Sequence, residues 1–315
     1  MKRIINIIKT QYDINCLSIT PQKGGWSALA YKISDGIKNY FLKAYEKNRA
    51  STPKLTFMID TYIPITIWLE QNTKLSGKIP VPVITKDGNY KSQDDYAIYL
   101  LYEYIEGETI GDNKLSDKQA IQLAEIITEL HSFNDTQITC NSLKIRENFS
   151  LPFLLPLKEH IIQNFDNLAY DIKEMLEERI WSIEKFIQRA EALSQLLIKS
   201  NPKMVICHTD IHNWNLMQSK NSLILIDWEG LKLAPPEADL MFLREKPYYK
   251  RFLDIYQKKH LNFQVNSDAI EFYLTRRKLE DIWEFAEQLL FDSQSDESRS
   301  QTLEYIKIIL DEIES

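Results

Sequence analysis

The chain of 315 residues carries 45 Asp and Glu against 38 Lys and Arg, a net charge of −7, and is 44% hydrophobic and 26% charged. This is the balance of an ordinary soluble globular protein; it disfavours a nucleic-acid binder, which shows a basic surplus. The length suffices for one large domain or two lobes with a substantial core. Cys16, Cys140 and Cys207 stand far apart without a C-x-x-C pair, so neither a disulfide framework nor a structural zinc site is expected. The opening MKRIINIIKTQYDI is interrupted by Asn and Lys and does not read as a signal peptide. No window approaches the roughly 20 apolar residues of a membrane span, and the expected location is cytoplasmic.

The first third reads as strands with one helix. After KGGW (23–26), AYKISD (30–35) and NYFLKAY (39–45) flank Asp35-Gly36, a hairpin signal. LTFMIDTYIPITIWLEQ (55–71) has a mixed helical pattern in which Pro64 should start, kink or break a helix. IPVPVITKDGNY (79–90) and YAIYLLYEYIEG (96–107) read as strands joined around Asp87-Gly88. Beyond Gly107, Ser116 and Gln119 form a capping box for a helix over 116–133. A long helical stretch follows between about 157 and 198. MVICHTD and SLILIDW are short apolar runs, each ending in an aspartate, and are expected to be buried strands. From Pro236 onward the pattern is helical. The last stretch, Ser267 to Ser315, holds 13 Asp and Glu against 5 Lys and Arg, either a solvated helical face or a surface that attracts cations.

The chemistry concentrates in CHTDIHNWNLM (207–217). His208-Thr209-Asp210 is followed five positions later by Asn215, and Asp227 ends the next apolar run, 17 residues after Asp210. Phosphoryl transfer needs this set. One aspartate accepts the proton of an attacking hydroxyl, while an asparagine and a second aspartate hold Mg²⁺ against nucleotide phosphates. The bland alternative is a crowded polar turn between two buried strands.

H-x-D-x-x-x-x-N (208–215), a strand ending in IDWEG (226–230) and the downstream LAPPEADLMF (233–242) resemble the aminoglycoside phosphotransferase family, small-molecule kinases with a protein-kinase-like fold. Within that family the pairing looks closest to spectinomycin phosphotransferases. The resemblance implies an α+β, two-lobed fold: a small antiparallel-sheet nucleotide-binding lobe over 1–103 and a larger, mainly helical catalytic and acceptor-binding lobe over 104–315. It implies ATP or GTP as donor, Mg²⁺ as metal, and a hydroxylated small-molecule acceptor. By resemblance Asp210 is the catalytic base, His208 orients the loop, Asn215 and Asp227 are the metal ligands, and Asp239 starts a helix that supports the loop. His212 receives no role.

The same resemblance makes Lys43, on an apolar strand, the lysine for the phosphates. Gly25 and Ser27, in Gly24-Gly25-Trp26-Ser27, stand where a glycine-rich loop would cover them, although G-x-G-x-x-G is absent. Kinase-like folds pair the lysine with a helical glutamate; between the two acids of 55–71, Asp60 is the expected partner and Glu70 the alternative. Glu103 and Ile105 would offer main-chain groups to the purine. For a cationic acceptor the candidates are Glu229, Glu271, Glu280 and Glu284, with Glu280, Glu284 and Glu287 recurring at helical spacing.

Antibiotics, choline-like alcohols and modified sugars are all phosphorylated by proteins that share these motifs, so the acceptor stays open. So do resistance as a role and a monomeric or homodimeric state. Two rivals remain. His208, Asp210 and His260 imitate the two-histidine, one-carboxylate set of nonheme iron oxygenases, but that chemistry needs neither Lys43 nor Asn215 nor Asp227. A pseudokinase-like binding protein would keep the fold with little transfer.

Overall fold

The computed structural model describes residues 1–22, 28–138 and 142–314. Helix α1 (Lys2–Tyr12) buries Ile4, Ile7, Ile8 and Tyr12, a helical spacing that the sequence analysis had not assigned to any element. Strands β1 (Ser18–Gln22), β2 (Leu29–Ser34) and β3 (Asn39–Glu46) follow. The hairpin between β2 and β3 turns where expected, with Gly36 at φ 90°. The Asp35 carboxylate accepts the N–H groups of Ile37 and Lys38 at 2.8 and 2.7 Å and so closes the turn. Helices α2 (Thr52–Thr56) and α3 (Ile59–Asn72) come next, and α3 keeps Pro64 inside it.

Strands β4 (Ser92–Gln93) and β5 (Ala97–Glu103) complete an antiparallel sheet of order β1-β2-β3-β5-β4. The strand expected over 79–90 is reduced to a single bridge, Pro82 to Tyr102. Pro80 and Pro82 have no N–H to give to a ladder. Because side chains alternate along a strand, Tyr40, Leu42 and Ala44 of β3 join Tyr99 and Leu101 of β5 in one buried cluster with α1. Phe41, Lys43 and Tyr45 therefore point to the opposite face, where Lys43 lies across from Leu100 and Phe41 from Tyr102.

The chain continues through β6 (Glu108–Thr109) and α4 (Asp117–Leu130), whose start carries the expected capping box of Ser116 and Gln119. The stretch expected to be helical over 157–198 is broken. It contains α5 (Leu154–Leu157), a wider π-turn over 158–163, α6 (Tyr170–Leu176) and α7 (Ile180–Ser200). Asn164 and Asn167 bond to each other through their side chains at 2.6 Å, the local competition by which Asn and Asp interrupt helices. Strands β7 (Val205–Cys207), β8 (Leu216–Ser219), β9 (Ser222–Leu225) and β10 (Lys232–Ala234) then form two small antiparallel sheets, β10-β7 and β6-β8-β9. Helices α8 (Glu237–Leu240), α9 (Tyr249–Lys259), α10 (Ser267–Phe291) and α11 (Asp296–Glu314) finish the chain. No helix among the described residues is long and apolar enough to cross a membrane.

The chain divides into two compact units, Met1–Arg146 with Met204–Gln264, and Glu147–Lys203 with Val265–Ser315. The expected division after Glu103 falls inside the first. That unit carries the five-stranded sheet and both aspartate-bearing turns.

The second unit is helical. Ile183, Ile187, Leu279, Ile282, Trp283 and Leu310 meet in its core. At one edge Arg276 donates to Glu147 at 2.9 Å and to Glu280 at 3.1 Å, with the Glu147 side chain only 2% exposed. A buried ion pair is worth little against an apolar replacement, but removing one partner strands the other charge. Arg276→Met is expected to cost about 3 kcal/mol by leaving Glu147 buried without its cation. Urea denaturation measures the loss; an unchanged midpoint would show that Glu147 is neutral or otherwise compensated.

Candidate active site

The loop between β7 and β8 and the turn after β9 bring Asp210, Asn215 and Asp227 into one network in the first unit. The Ile226 N–H donates to the Asn215 carbonyl at 2.9 Å, which ties the asparagine to the residue before Asp227. Asn215 Nδ2 donates to the backbone carbonyl and to Oδ2 of Asp210, both at 2.9 Å. His208 is buried; its Nδ1 accepts the Asp210 N–H at 3.2 Å and its Nε2 donates to the Ile226 carbonyl at 2.8 Å. Those partners require the tautomer with hydrogen on Nε2. His208 thus links the Asp210 backbone to the carbonyl just before Asp227. Trp228 packs edge-on against its ring, with centroids 4.8 Å apart.

The loop is strained. Thr209 sits at φ 69°, a conformation that β-branched residues avoid and that costs on the order of 1–3 kcal/mol. It is held by Asp239, which is fully buried and accepts the N–H groups of Thr209 at 2.6 Å and His208 at 3.1 Å. The Thr209 hydroxyl donates to the Gly230 carbonyl at 2.7 Å. A Cβ on Gly230 would lie 2.5 Å from that hydroxyl oxygen, so only glycine lets the two turns approach so closely. Behind Asp239, His131 Nε2 lies 2.9 Å from its Oδ2, and His131 Nδ1 lies 2.9 Å from the Tyr256 hydroxyl. His131 and Tyr256 carry no signal along the chain, because only the tertiary fold brings α4 and α9 to Asp239.

Lys43 reaches the same turn from the sheet. Its Nζ donates to Asp227 Oδ1 at 2.8 Å and to Glu229 Oε1 at 2.6 Å. Burial alone would push this ammonium down, but the two carboxylates outweigh it and hold Lys43 well above the ordinary lysine range. Burial likewise pushes the Glu229 carboxyl up, while Lys43 and the Tyr45 hydroxyl bring it below its ordinary value. Tyr45 donates to the same Glu229 oxygen. It lies two residues after Lys43 on β3, hence on the same face, a signal present in YFLKAY.

Asp60 is not brought to Lys43. Its side chain is 61% exposed and pairs with Lys91 at 2.5 Å. Glu70, the alternative, accepts from the Ser76 hydroxyl at 3.1 Å. The helix turns a buried tyrosine, Tyr62, inward instead. Two positions along an α-helix is about 200° of rotation, so Tyr62 and Asp60 cannot face the same way. Glu229 was expected to meet an acceptor; the structure places it on Lys43. Gly25 and Ser27 lie outside the described residues. Glu103 ends β5 with its carboxylate on Lys38 at 3.1 Å. With Ile105 it borders a cavity of about 410 Å³, together with Ile79, Val81 and Ile224.

Glu271, Glu280 and Glu284 belong to the second unit. Glu271 takes a two-pronged bond from Arg189 at 2.5 Å on both arms, and Glu280 is bound by Arg276, so both acids already carry a cation from their own unit. Beside them Asp281 is pushed up to about 6, chiefly by burial, against the pull of Arg277.

Asn215 and Asp227 offer amide and carboxylate oxygens, the hard donors that Mg²⁺ prefers. The Asp227 side chain is 38% exposed, open enough to receive an ion beside Lys43. The residues present fit that metal. Lysine, paired carboxylates and a hydrogen-bonded aspartate on a strained loop are the kinds of group that phosphoryl transfer uses.

A family model described as "Phosphotransferase enzyme family" matches residues 18–289. The chain belongs to this family, and is a phosphotransferase with a hydroxyl acceptor. Its fold is kinase-like. Spectinomycin phosphotransferase APH(9)-Ia, solved with ADP and spectinomycin, superposes with a TM-score of 0.76 at 21% identity, covering 100% of this chain and 97% of that one. The aminoglycoside phosphotransferase APH(2'')-IIIa with GDP and kanamycin gives 0.62 at 18%, covering 100% and 98%. Choline kinase LicA from Streptococcus pneumoniae gives 0.60 at 16%, covering 99% and 98%.

Asp239→Asn removes the charge that steadies the two loop N–H groups. Hydrogen bonds to charged groups contribute about 1.5–3 kcal/mol each, so a loss of about 3 kcal/mol is expected. Faster amide exchange at His208 and Thr209 should accompany it. Unchanged exchange there would mean that the loop holds its conformation without Asp239. The raised Asp281 value has its own signature. Its proton is held more tightly folded than unfolded, so its contribution to stability falls as pH rises from about 4 to about 6. Asp281→Asn should flatten that decline in a pH series of melting temperatures; an unaltered profile would contradict the burial argument.

Proposed function

We propose that this phosphotransferase moves the γ-phosphate of ATP or GTP to a hydroxyl of an amine-bearing, aminoglycoside- or aminocyclitol-like acceptor. The observation that carries the reading is the convergence of Lys43 and Asp227 at 2.8 Å with Asp210, itself anchored by Asn215 at 2.9 Å. Each group has one task. Lys43 presents a positive charge to the donor phosphates from the sheet face. Asn215 and Asp227 would hold Mg²⁺, which when bound neutralises phosphate charge and orients the donor. Asp210, with its side chain 29% exposed and one oxygen fixed by Asn215, takes the proton of the acceptor hydroxyl as the oxygen attacks in line. Main-chain groups of Glu103 and Ile105 face the purine.

Neighbours of the same fold are described with ADP, AMP or GDP, which supports a nucleotide donor without choosing its base. Their acceptors include spectinomycin and kanamycin. Others are described as choline and aminopropanol kinases, and a hydroxylated metabolite bearing an amine is therefore the second reading. The chemistry common to all is a hydroxyl on a cationic amine. Cytoplasmic placement fits the donor and the free thiols of Cys16 and Cys207.

The test is Mg²⁺-dependent release of ADP or GDP with pooled acceptors: spectinomycin, other aminoglycosides, choline and aminosugars. Asp210→Asn should lower acceptor-stimulated release by a factor of about 100 or more, the scale of a general base, while nucleotide binding persists. Asp227→Ala should abolish the Mg²⁺ dependence of binding. Near-normal turnover by Asp210→Asn would remove Asp210 as the base. No stimulation by any pool would argue against the amine-bearing acceptor.

A further inference from the structure

We propose that Glu229 is the positioning residue for Lys43, taking from the turn after β9 the role that kinase-like folds give to a helical acid; this rests on the phosphoryl-transfer reading of the site. Three observations carry it. Lys43 Nζ lies 2.6 Å from Glu229 Oε1, and both side chains are largely buried, at 11% and 15% exposure. The Tyr45 hydroxyl donates to that same oxygen, so the carboxylate is steadied from the strand that carries the lysine. The helix that would otherwise supply the acid cannot, since Asp60 points out to Lys91 and Glu70 bonds to Ser76. In the inward position stands the buried Tyr62, which carries no charge to offer the lysine.

The arrangement changes what controls the lysine. Glu229 and Asp227 share one tight turn, with Trp228 packed on His208 between them. The charge that holds the lysine and the carboxylate that would hold the metal therefore move as one body. Where the acid lies on a helix, displacement of that helix releases the lysine, which is a common route of regulation. Here α3 contributes no charge to Lys43, and a shift of α3 leaves the ion pair in place.

The test is a double-mutant cycle on ADP binding by calorimetry, run both in EDTA and with Mg²⁺. Glu229→Gln should weaken ADP by about tenfold in both conditions, the scale of one hydrogen bond to a charged group. The effect should vanish in a Lys43→Met background, and acceptor KM should not move. Asp60→Asn should change affinity less than about twofold, in keeping with an exposed pair. A Glu229→Gln effect that needs Mg²⁺ and persists with Lys43→Met would make Glu229 a metal ligand and overturn the proposal. An effect confined to acceptor KM would overturn it as well. Should Glu229→Gln fail to fold, Tyr45→Phe removes only the hydroxyl that steadies Glu229, and its smaller loss should vanish in the same background. Absence of ADP binding by the unaltered protein and its Lys43→Met variant alike would sink the phosphoryl-transfer reading, and this proposal with it.

Discussion

A buried ammonium is the constraint around which the first unit is organised. Moving one ion out of water costs several kcal/mol even after the protein relaxes, so Lys43 is tolerable at 11% exposure only with anions in contact. Asp227 and Glu229 supply them. Both come from one turn, and that turn must be held where the sheet face can meet it. Much of the local architecture follows. β3 alternates so that Leu42 and Ala44 pack on α1 while Lys43 and Tyr45 face the turn. Burial and the Glu229 charge push the hydroxyls of Tyr45, Tyr62 and Tyr102 upward, so they stay neutral, and Tyr45 donates to Glu229.

The turn is fixed in its own way. Gly230 has no side chain, so Thr209 can press against it, and Asp239 holds Thr209 in a backbone conformation it would not choose alone. His208 then connects the loop to the carbonyl just before Asp227. Strain at Thr209, burial of Asp239 and the tautomer of His208 are one mechanical arrangement, which sets Asp210, Asn215 and Asp227 relative to one another; on the proposed function these groups are in place before any substrate arrives. Preorganisation of this kind lowers the reorganisation required in the transition state. The second unit obeys the same electrostatic rule in Arg276, which meets Glu147 and Glu280.

What could be read from the sequence was whatever depends on neighbours along the chain. The Asp35-Gly36 turn, the capping box at Ser116 and the strands ending at Cys207 and Leu225 are local, and they stand where expected. The spacing of Asp210, Asn215 and Asp227 was legible because one loop and the β8–β9 hairpin connect them. Pairings across the fold were not. Asp60 was the expected partner of Lys43 and Glu229 a candidate for the acceptor, and only the helical rotation that points Tyr62 inward sends Asp60 outward to Lys91. Glu271, and Glu280 of the stripe Glu280, Glu284 and Glu287, were acceptor candidates on sequence. Arg189 meets Glu271 from another helix, a pairing that could not be read along the chain, while Arg276 meets Glu280 from one turn earlier on α10. Helix α1 was missed although its isoleucines have helical spacing, because the segment was weighed only as a leader.

The role proposed for the buried Lys43 is to hold the donor phosphates during phosphoryl transfer. Phosphorus NMR of the protein with nucleoside triphosphate, Mg²⁺ and the pooled amine-bearing acceptors tests that most directly. The expected result is a new phosphomonoester resonance that grows as the γ-phosphate signal declines, and that fails to form with Lys43→Met. Conversion of the γ-phosphate to inorganic phosphate alone, or equal product from Lys43→Met, would contradict it.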